Sequence, residues 1–167
     1  MNKIFYAVLM NVFITTSAYS ADTFVIKLVE PLDEPEFYCL DVAGWGDHLK
    51  IEDPLQVHTC KPDSPDQEFV VEGSTLKMPE YNRCLTVSAS GNTAQPGTVL
   101  MIRECDGRIM QNFKILSSGQ IMLNNSNLCL AAGTTSLEAS GPSHLWRVAS
   151  LQPCDITDKK LITWDAQ

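Results

Sequence analysis

The stretch "CLDV" at residues 39–42 returns as "CLTV" at 84–87 and as "CLAA" at 129–132, each copy 45 residues after the last. A second cysteine follows each copy, at 60, 105 and 154, giving intervals of 21, 21 and 25 residues. Self-similarity at a fixed period of this length marks a repeat architecture and is read before any local motif. Other positions keep the beat. Leu55-x-Val57-x-x-Cys60 matches Leu100-x-Ile102-x-x-Cys105, and the third copy ends in Leu151-x-x-Cys154. Phe24 and Phe69 each lie 15 residues before a first cysteine, and Phe113 lies 16 before Cys129.

The alternating apolar positions before each second cysteine, with Gln56 and His58 or Met101 and Arg103 between them, predict half-buried strands. Turn-forming clusters such as "GWGD", "KPDSPD" and "SASGNTAQPG" separate them, and no segment sustains helical periodicity. The expectation is an all-β barrel or sandwich. A length of 167 residues, 44% of them hydrophobic, supplies one ordinary core and too little for two sizeable domains.

Residues 1–20, "MNKIFYAVLMNVFITTSAYS", combine an early Lys3, a short apolar stretch and the small-x-small ending Ala18-Tyr19-Ser20. They read as a secretory signal peptide cut after Ser20, leaving a domain of residues 21–167. Asn11 and Thr15-Thr16-Ser17 interrupt the apolar run, which is already short of the roughly 20 residues a membrane span needs, so no membrane insertion is expected. A secreted or periplasmic setting is oxidising, and there an even cysteine count reads as disulfides. With no C-x-x-C in the chain, a zinc site is not expected, and no cofactor is indicated. Six cysteines allow 15 connectivities. The simplest repeats one staple per unit, Cys39–Cys60, Cys84–Cys105 and Cys129–Cys154. Each loop of about 20 residues then contributes on the order of 3 kcal/mol by the loop-entropy model.

Without Lys3 the 12 basic residues fall to 11, against 20 acidic ones, a net charge of −9. Nucleic acid is thereby disfavoured as a partner, as are anionic membranes, since both need Lys/Arg neutralisation. Catalysis finds no support either. The chain has three histidines, no Gly-x-Ser-x-Gly and no phosphate-binding glycine loop, and Asp63 and Asp66 sit in a proline-bearing turn.

After the second cysteine of each unit come "QEF" at 67–69, "QNF" at 111–113 and "ITW" at 162–164. Cys-Leu-x-Val, apolar-x-apolar-x-x-Cys and Gln-x-aromatic, three times in order and in phase from Phe24 to Trp164, resemble the ricin-type (ricin B-like) β-trefoil lectin family. The resemblance implies three four-stranded units around a pseudo-threefold axis, with Phe69, Phe113 and Trp164 as aromatic core positions. It implies that Gln67 and Gln111 brace the preceding turns, and that Ile162, replacing the third glutamine, makes the last repeat less regular. The longer third interval is most simply an enlarged loop around "TTSLEASGPSH".

The resemblance also implies a sugar site built from a carboxylate two residues after the first cysteine and an aromatic platform two before the second. Polar residues at and just before the glutamine complete it. A carboxylate accepts charge-assisted hydrogen bonds from adjacent sugar hydroxyls, and a flat ring packs the C–H face of a pyranose. In the first repeat these positions are Asp41, His58 and Asp66-Gln67, with Gln56 on the His58 strand face. In the second they are Thr86, Arg103 and Met110-Gln111, and in the third Ala131, Gln152 and Leu161-Ile162, which keep neither carboxylate nor ring. Two readings of Asp41 stand open, sugar contact or a turn residue satisfying local N–H groups. His58 is a small platform or an ordinary strand-surface residue. Trp45 is an exposed binding aromatic or a plug in the barrel mouth.

The expectation is thus a secreted, non-catalytic lectin with one site in the first repeat. Glycans, galactose-type by resemblance, are its partners, bound near millimolar, about −4 kcal/mol. The alternative is a protein-interaction or cell-binding subunit of a secreted complex or toxin, suggested by two degenerate repeats and the apolar Met101, Ile109 and Met110. β-Trefoils serve both purposes.

Overall fold

The computed structural model describes residues 22–139 and 144–166, so the expected signal peptide lies outside the described residues. The chain runs through β1 (Phe24–Val25), β2 (Lys27–Leu28), β3 (Tyr38–Asp41) and β4 (Gln56–Thr59) in the first repeat. The second repeat holds β5 (Glu68–Glu72), β6 (Thr75–Met78), β7 (Arg83–Val87) and β8 (Leu100–Glu104). The third holds β9 (Phe113–Ile115), β10 (Ile121–Leu123), β11 (Leu128–Ala132), β12 (Leu137–Glu138) and β13 (Leu145–Pro153), before β14 (Trp164–Asp165). Each Cys-Leu-x stretch lies on a strand, β3, β7 or β11, hydrogen-bonded antiparallel to the strand that leads to its second cysteine. That pairing brings the cysteines together as Cys39–Cys60, Cys84–Cys105 and Cys129–Cys154.

Two curled sheets result, one in the order β1-β5-β6-β7-β8 and the other β14-β2-β3-β4-β13-β11-β10-β9, with β12 on the edge of β13. The repeats interlock at their ends. Phe24 of β1 pairs with Phe69 at the start of the second repeat, and Trp164 of β14 returns to pair with Leu28. The leucine beside each first cysteine, Leu40, Leu85 and Leu130, turns into one shared core together with Phe69, Phe113 and Trp164. Burying such side chains stabilises by about 1.5–3 kcal/mol each. The Trp164 indole N–H, also buried, donates to the Leu130 carbonyl at 2.9 Å, so the ring enters the core without an unpaired polar group.

The segment before each core aromatic is a short helical turn: Pro65–Gln67, Ile109–Gln111 and Lys159–Ile162. Gln67 clamps the chain on both sides of Cys60, its Nε2 donating to Thr59 O and its Oε1 accepting from Lys61 N. Gln111 does the same around Cys105, with Glu104 O and Asp106 N. The third turn forms without this glutamine. Asp158 caps it through Lys160 N, Ile162 packs into the core beside Cys129, and Gln120 Nε2 and Lys159 Nζ donate to the Cys154 carbonyl. The last repeat is thus less regular, as expected: its turn is a four-residue α-helical one where the other two are three-residue 3-10 turns, and other side chains hold it.

The enlarged third interval is not purely a loop. Its middle folds as β12 and pairs with the start of β13, Leu137 opposite Trp146. Met101, Ile109 and Met110 are not an exposed apolar patch either. Met110 is buried, Ile109 packs against the core and Met101 is half-buried.

Candidate functional site

Asp41 ends β3 directly opposite Gln56 of β4, and Cys39 lies opposite His58. Directly opposed residues project on the same sheet face, so Asp41, Gln56 and His58 share one side. Asp41 is completely buried, with 0% of its side chain exposed. Gln56 Nε2 donates to Oδ2 at 2.9 Å. Lys61 Nζ lies 2.9 Å from Oδ1 and keeps 29% of its side chain exposed. Among the described residues this buried oxygen has the Lys61 ammonium as its partner and no other. Burial pushes the Asp41 carboxyl above its ordinary pKa, even against Lys61 and the Gln56 amide. The turn-residue reading of Asp41 is set aside: the side chain lies on a strand and meets an amide and an ammonium.

Asp66 joins the same region through its backbone carbonyl, which accepts from Val42 N at 3.1 Å, one residue beyond Asp41. Its carboxylate accepts from the Tyr81 hydroxyl, supplied by the second repeat. Burial and that carboxylate together push the Tyr81 hydroxyl above its usual pKa. Gln67 is fully buried, with both amide ends engaged by backbone, so it positions Lys61 rather than facing solvent. His58 is half-buried, its Nδ1 3.2 Å from the Thr59 carbonyl and its ring edge-on to His144 at 5.9 Å. Trp45 stands 66% exposed on the loop after β3, edge-on to His48, so it is not a plug. Gly44 makes that loop possible: at φ +96 an added Cβ would sit 2.2 Å from the His48 carbonyl oxygen.

The other repeats hold different chemistry at these positions. Thr86 is buried, donating to Cys84 O and accepting from Gln111 Nε2, while Arg103 turns outward to Glu52. Ala131 faces Ser150 in the third repeat, and Gln152 donates to the Ser150 hydroxyl. Among the described residues no cluster of three His, Cys, Asp or Glu could hold a metal ion.

Sequence reasoning missed Lys61 and Tyr81. Lys61 was within reach, since it follows Cys60, whose disulfide partner Cys39 lies two residues before Asp41 on the same strand face, and a carboxylate there calls for a cation. Tyr81 belongs to a turn of another repeat, and no spacing within the first repeat points to it.

A second polar centre lies on the other face of the same strands, around Tyr38, Thr59 and Arg147. Burial alone would raise the Asp33 pKa, but hydrogen bonds from Ser136, Arg147 and Tyr38 outweigh it and hold the carboxyl well below the usual carboxylate range. Buried Glu34 is likewise held down by Thr59 Oγ1, at 2.7 Å, and by the N–H groups of Glu36 and Leu145, against the upward push of burial.

No protein-family model matches the chain, and no curated protein does. Solved structures do. The solution structure of the mdaA-1 domain superposes with a TM-score of 0.64 at 17% identity, covering 95% of this chain and 96% of that one. The agglutinin from Abrus precatorius follows with 0.59 at 20% identity, covering 91% of this chain, which spans 51% of the agglutinin chain. The β-trefoil lectin of the Vibrio vulnificus hemolysin/cytolysin, solved with N-acetyl-D-lactosamine bound, gives 0.53 at 15% identity over 86% and 91% of the two chains. Three interlocked repeats, one disulfide in each, and these likenesses make the chain a β-trefoil with the fold found in lectins.

Proposed function

We propose that the protein is a secreted, non-catalytic carbohydrate-binding protein whose site is the first-repeat group of Asp41, Gln56 and His58, with Asp66 and Trp45 at its margins. The observation that carries this reading is the Asp41 carboxylate: fully buried, raised in pKa by that burial, held on one oxygen by Gln56 and on the other by a lysine that reaches solvent. Such a carboxylate costs the fold stability, and a core position would be better served by an apolar residue. It is suited to a ligand whose hydroxyls replace the Lys61 ammonium at Oδ1 as that lysine swings outward. Gln56 then offers its second amide hydrogen and carbonyl to the same ring, and His58 a small flat surface. Sugar-binding β-trefoils among the structural likenesses, such as the Vibrio lectin named above, support the ligand class. The three disulfides support an oxidising, extracellular setting. A single site of this kind gives weak binding, near millimolar, without the avidity of several.

The closing of Lys61 over Asp41 favours one competing reading, a β-trefoil scaffold for a protein partner. A glycan array probed with the oxidised protein and with Asp41→Asn separates the two. The lectin reading expects galactoside-type hits that vanish in a folded Asp41→Asn protein. Absence of any hit for the folded wild type, together with a stoichiometric co-purifying protein, would establish the scaffold reading instead.

A further inference from the structure

The carbohydrate site just proposed does not stop at the first repeat. β4 carries the platform residue His58 and is hydrogen-bonded on both edges, to β3 on one side and to β13 of the third repeat on the other. Trp146 of β13 lies directly opposite His58, and Val148 directly opposite Gln56. Leu137 of β12 lies opposite Trp146 in turn. Opposed residues share a face, so one row reads Cys39, His58, Trp146, Leu137 and the next reads Asp41, Gln56, Val148. Val148 is 48% and Leu137 50% exposed, and Trp146 is half-buried. This is an aromatic and apolar strip beginning beside a carboxylate and an amide.

The second repeat has no counterpart. Its platform strand β8 ends its sheet, and Arg103 stands where His58 stands. The strip arises because the enlarged third interval folds as β12 and is fastened to the first repeat. Ser136 donates to Asp33, and the Arg147 guanidinium bridges Asp33 and the Gly133 carbonyl. Leu145 N donates to Glu34 and to Thr59 Oγ1, both at 3.1 Å. Trp146 is thus held between anchored neighbours, which lowers the ordering cost of binding.

We propose that Trp146, flanked by Leu137 and Val148, is a second-ring subsite, so that the ligand is a disaccharide or longer chain rather than a monosaccharide. Strands lie about 4.8 Å apart, which puts β13 roughly 10 Å from β3. Two linked pyranose rings cover that span, the first on Asp41, Gln56 and His58 and the second on the Trp146 indole. The indole packs a sugar C–H face and can offer its N–H to a hydroxyl, supplying the broad platform that His58 lacks. The inference rests on the first-repeat site being a sugar site.

Calorimetric titration with methyl galactoside and with N-acetyllactosamine tests it, using wild type, Trp146→Ala and Trp146→Phe, each checked by circular dichroism. The disaccharide is expected to bind wild type about tenfold tighter than the monosaccharide, as one good aromatic contact provides. Trp146→Ala should abolish that difference while leaving the monosaccharide affinity within about twofold, and Trp146→Phe should keep most of it. Equal affinity of wild type for the two sugars would overturn the subsite and leave the first-repeat site standing. So would Trp146→Ala or Trp146→Phe weakening both sugars alike. Failure of both sugars to bind folded wild type would instead contradict the first-repeat site itself, and the subsite with it.

Discussion

Asp41 and Lys61 form an ion pair whose two members should respond oppositely to removal. Asp41 is wholly buried and Lys61 is 29% exposed, with Nζ 2.9 Å from Oδ1. Asp41→Asn keeps the shape, retains an acceptor for Gln56 Nε2, and frees an ammonium that can turn into water. Exchanging a buried ion pair for well-packed apolar residues is commonly neutral or stabilising by about 1–4 kcal/mol, and Asp41→Asn, which removes the wholly buried charge, should keep part of that gain less the cost of an amide NH2 beside Lys61. The expected result at pH 7 is a change between zero and roughly 2 kcal/mol in favour of the variant. For a domain of this size that raises Tm by about 2–4 °C per kcal/mol. Lys61→Ala does the reverse, leaving a buried carboxylate with no cation, which costs about 3–5 kcal/mol. The pH dependence carries the sign. Asp41 has a folded-state pKa above its ordinary 3.8, so the folded protein binds that proton more tightly than the unfolded chain does. Its burial penalty is present at neutral pH and is relieved as pH falls through the folded value. The Lys61→Ala defect should therefore shrink between pH 7 and pH 4, and the Asp41→Asn advantage should shrink with it. Thermal melts of the three proteins across that range are the assay. A loss of more than about 2 kcal/mol in Asp41→Asn at pH 7, with Lys61→Ala unchanged, would refute the reasoning and make Asp41 an ordinary structural acid.

Gln67→Ala and Gln111→Ala should each cost about 1–3 kcal/mol in denaturant unfolding, because each strands buried backbone partners on both sides of a cysteine. Of the two, only Gln67→Ala should also weaken sugar binding, since it frees the Thr59–Lys61 backbone that holds the end of β4 and His58 in place. Asp33 works with the opposite sign to Asp41: its depressed pKa gives stability that is full above about pH 4 and is lost as pH falls below it. Asp33→Asn should therefore destabilise at pH 7 and flatten the acid limb of a stability profile. Replacing Cys84 and Cys105 by alanine should cost about 3 kcal/mol and spare binding, whereas the same change at Cys39 and Cys60 should cost as much and abolish it.

The architecture was legible because it is written as period. Three cysteine pairs at one interval, leucines beside them and aromatics after them define strands, staples and core, and Leu40, Leu85 and Leu130 all point where the pattern requires. The Asp41–Gln56 contact was legible for the same reason, since the disulfide and the alternation on β4 place both on one face. What the period could not carry was anything joining one repeat to another. The Tyr81 hydroxyl on Asp66, the fastening of Ser136 and Arg147 to Asp33, and Trp146 beside His58 all depend on how the repeats close on each other. The replacement of Gln by Ile162 was legible as an irregular last repeat, but not the form it takes, a four-residue α-helical turn capped by Asp158 in place of a glutamine clamp.

The most direct test of the account is an NMR titration of the isotopically labelled, oxidised protein with N-acetyllactosamine. The Gln56 side-chain amide, the backbone of Asp41 and Val42, and the Trp146 indole N–H should shift together with one affinity, while Thr86 and Ala131 in the other two repeats stay still. Shifts confined elsewhere, for instance along the apolar groove of Val71, Phe113 and Ile115, or no shifts from a folded protein, would contradict it.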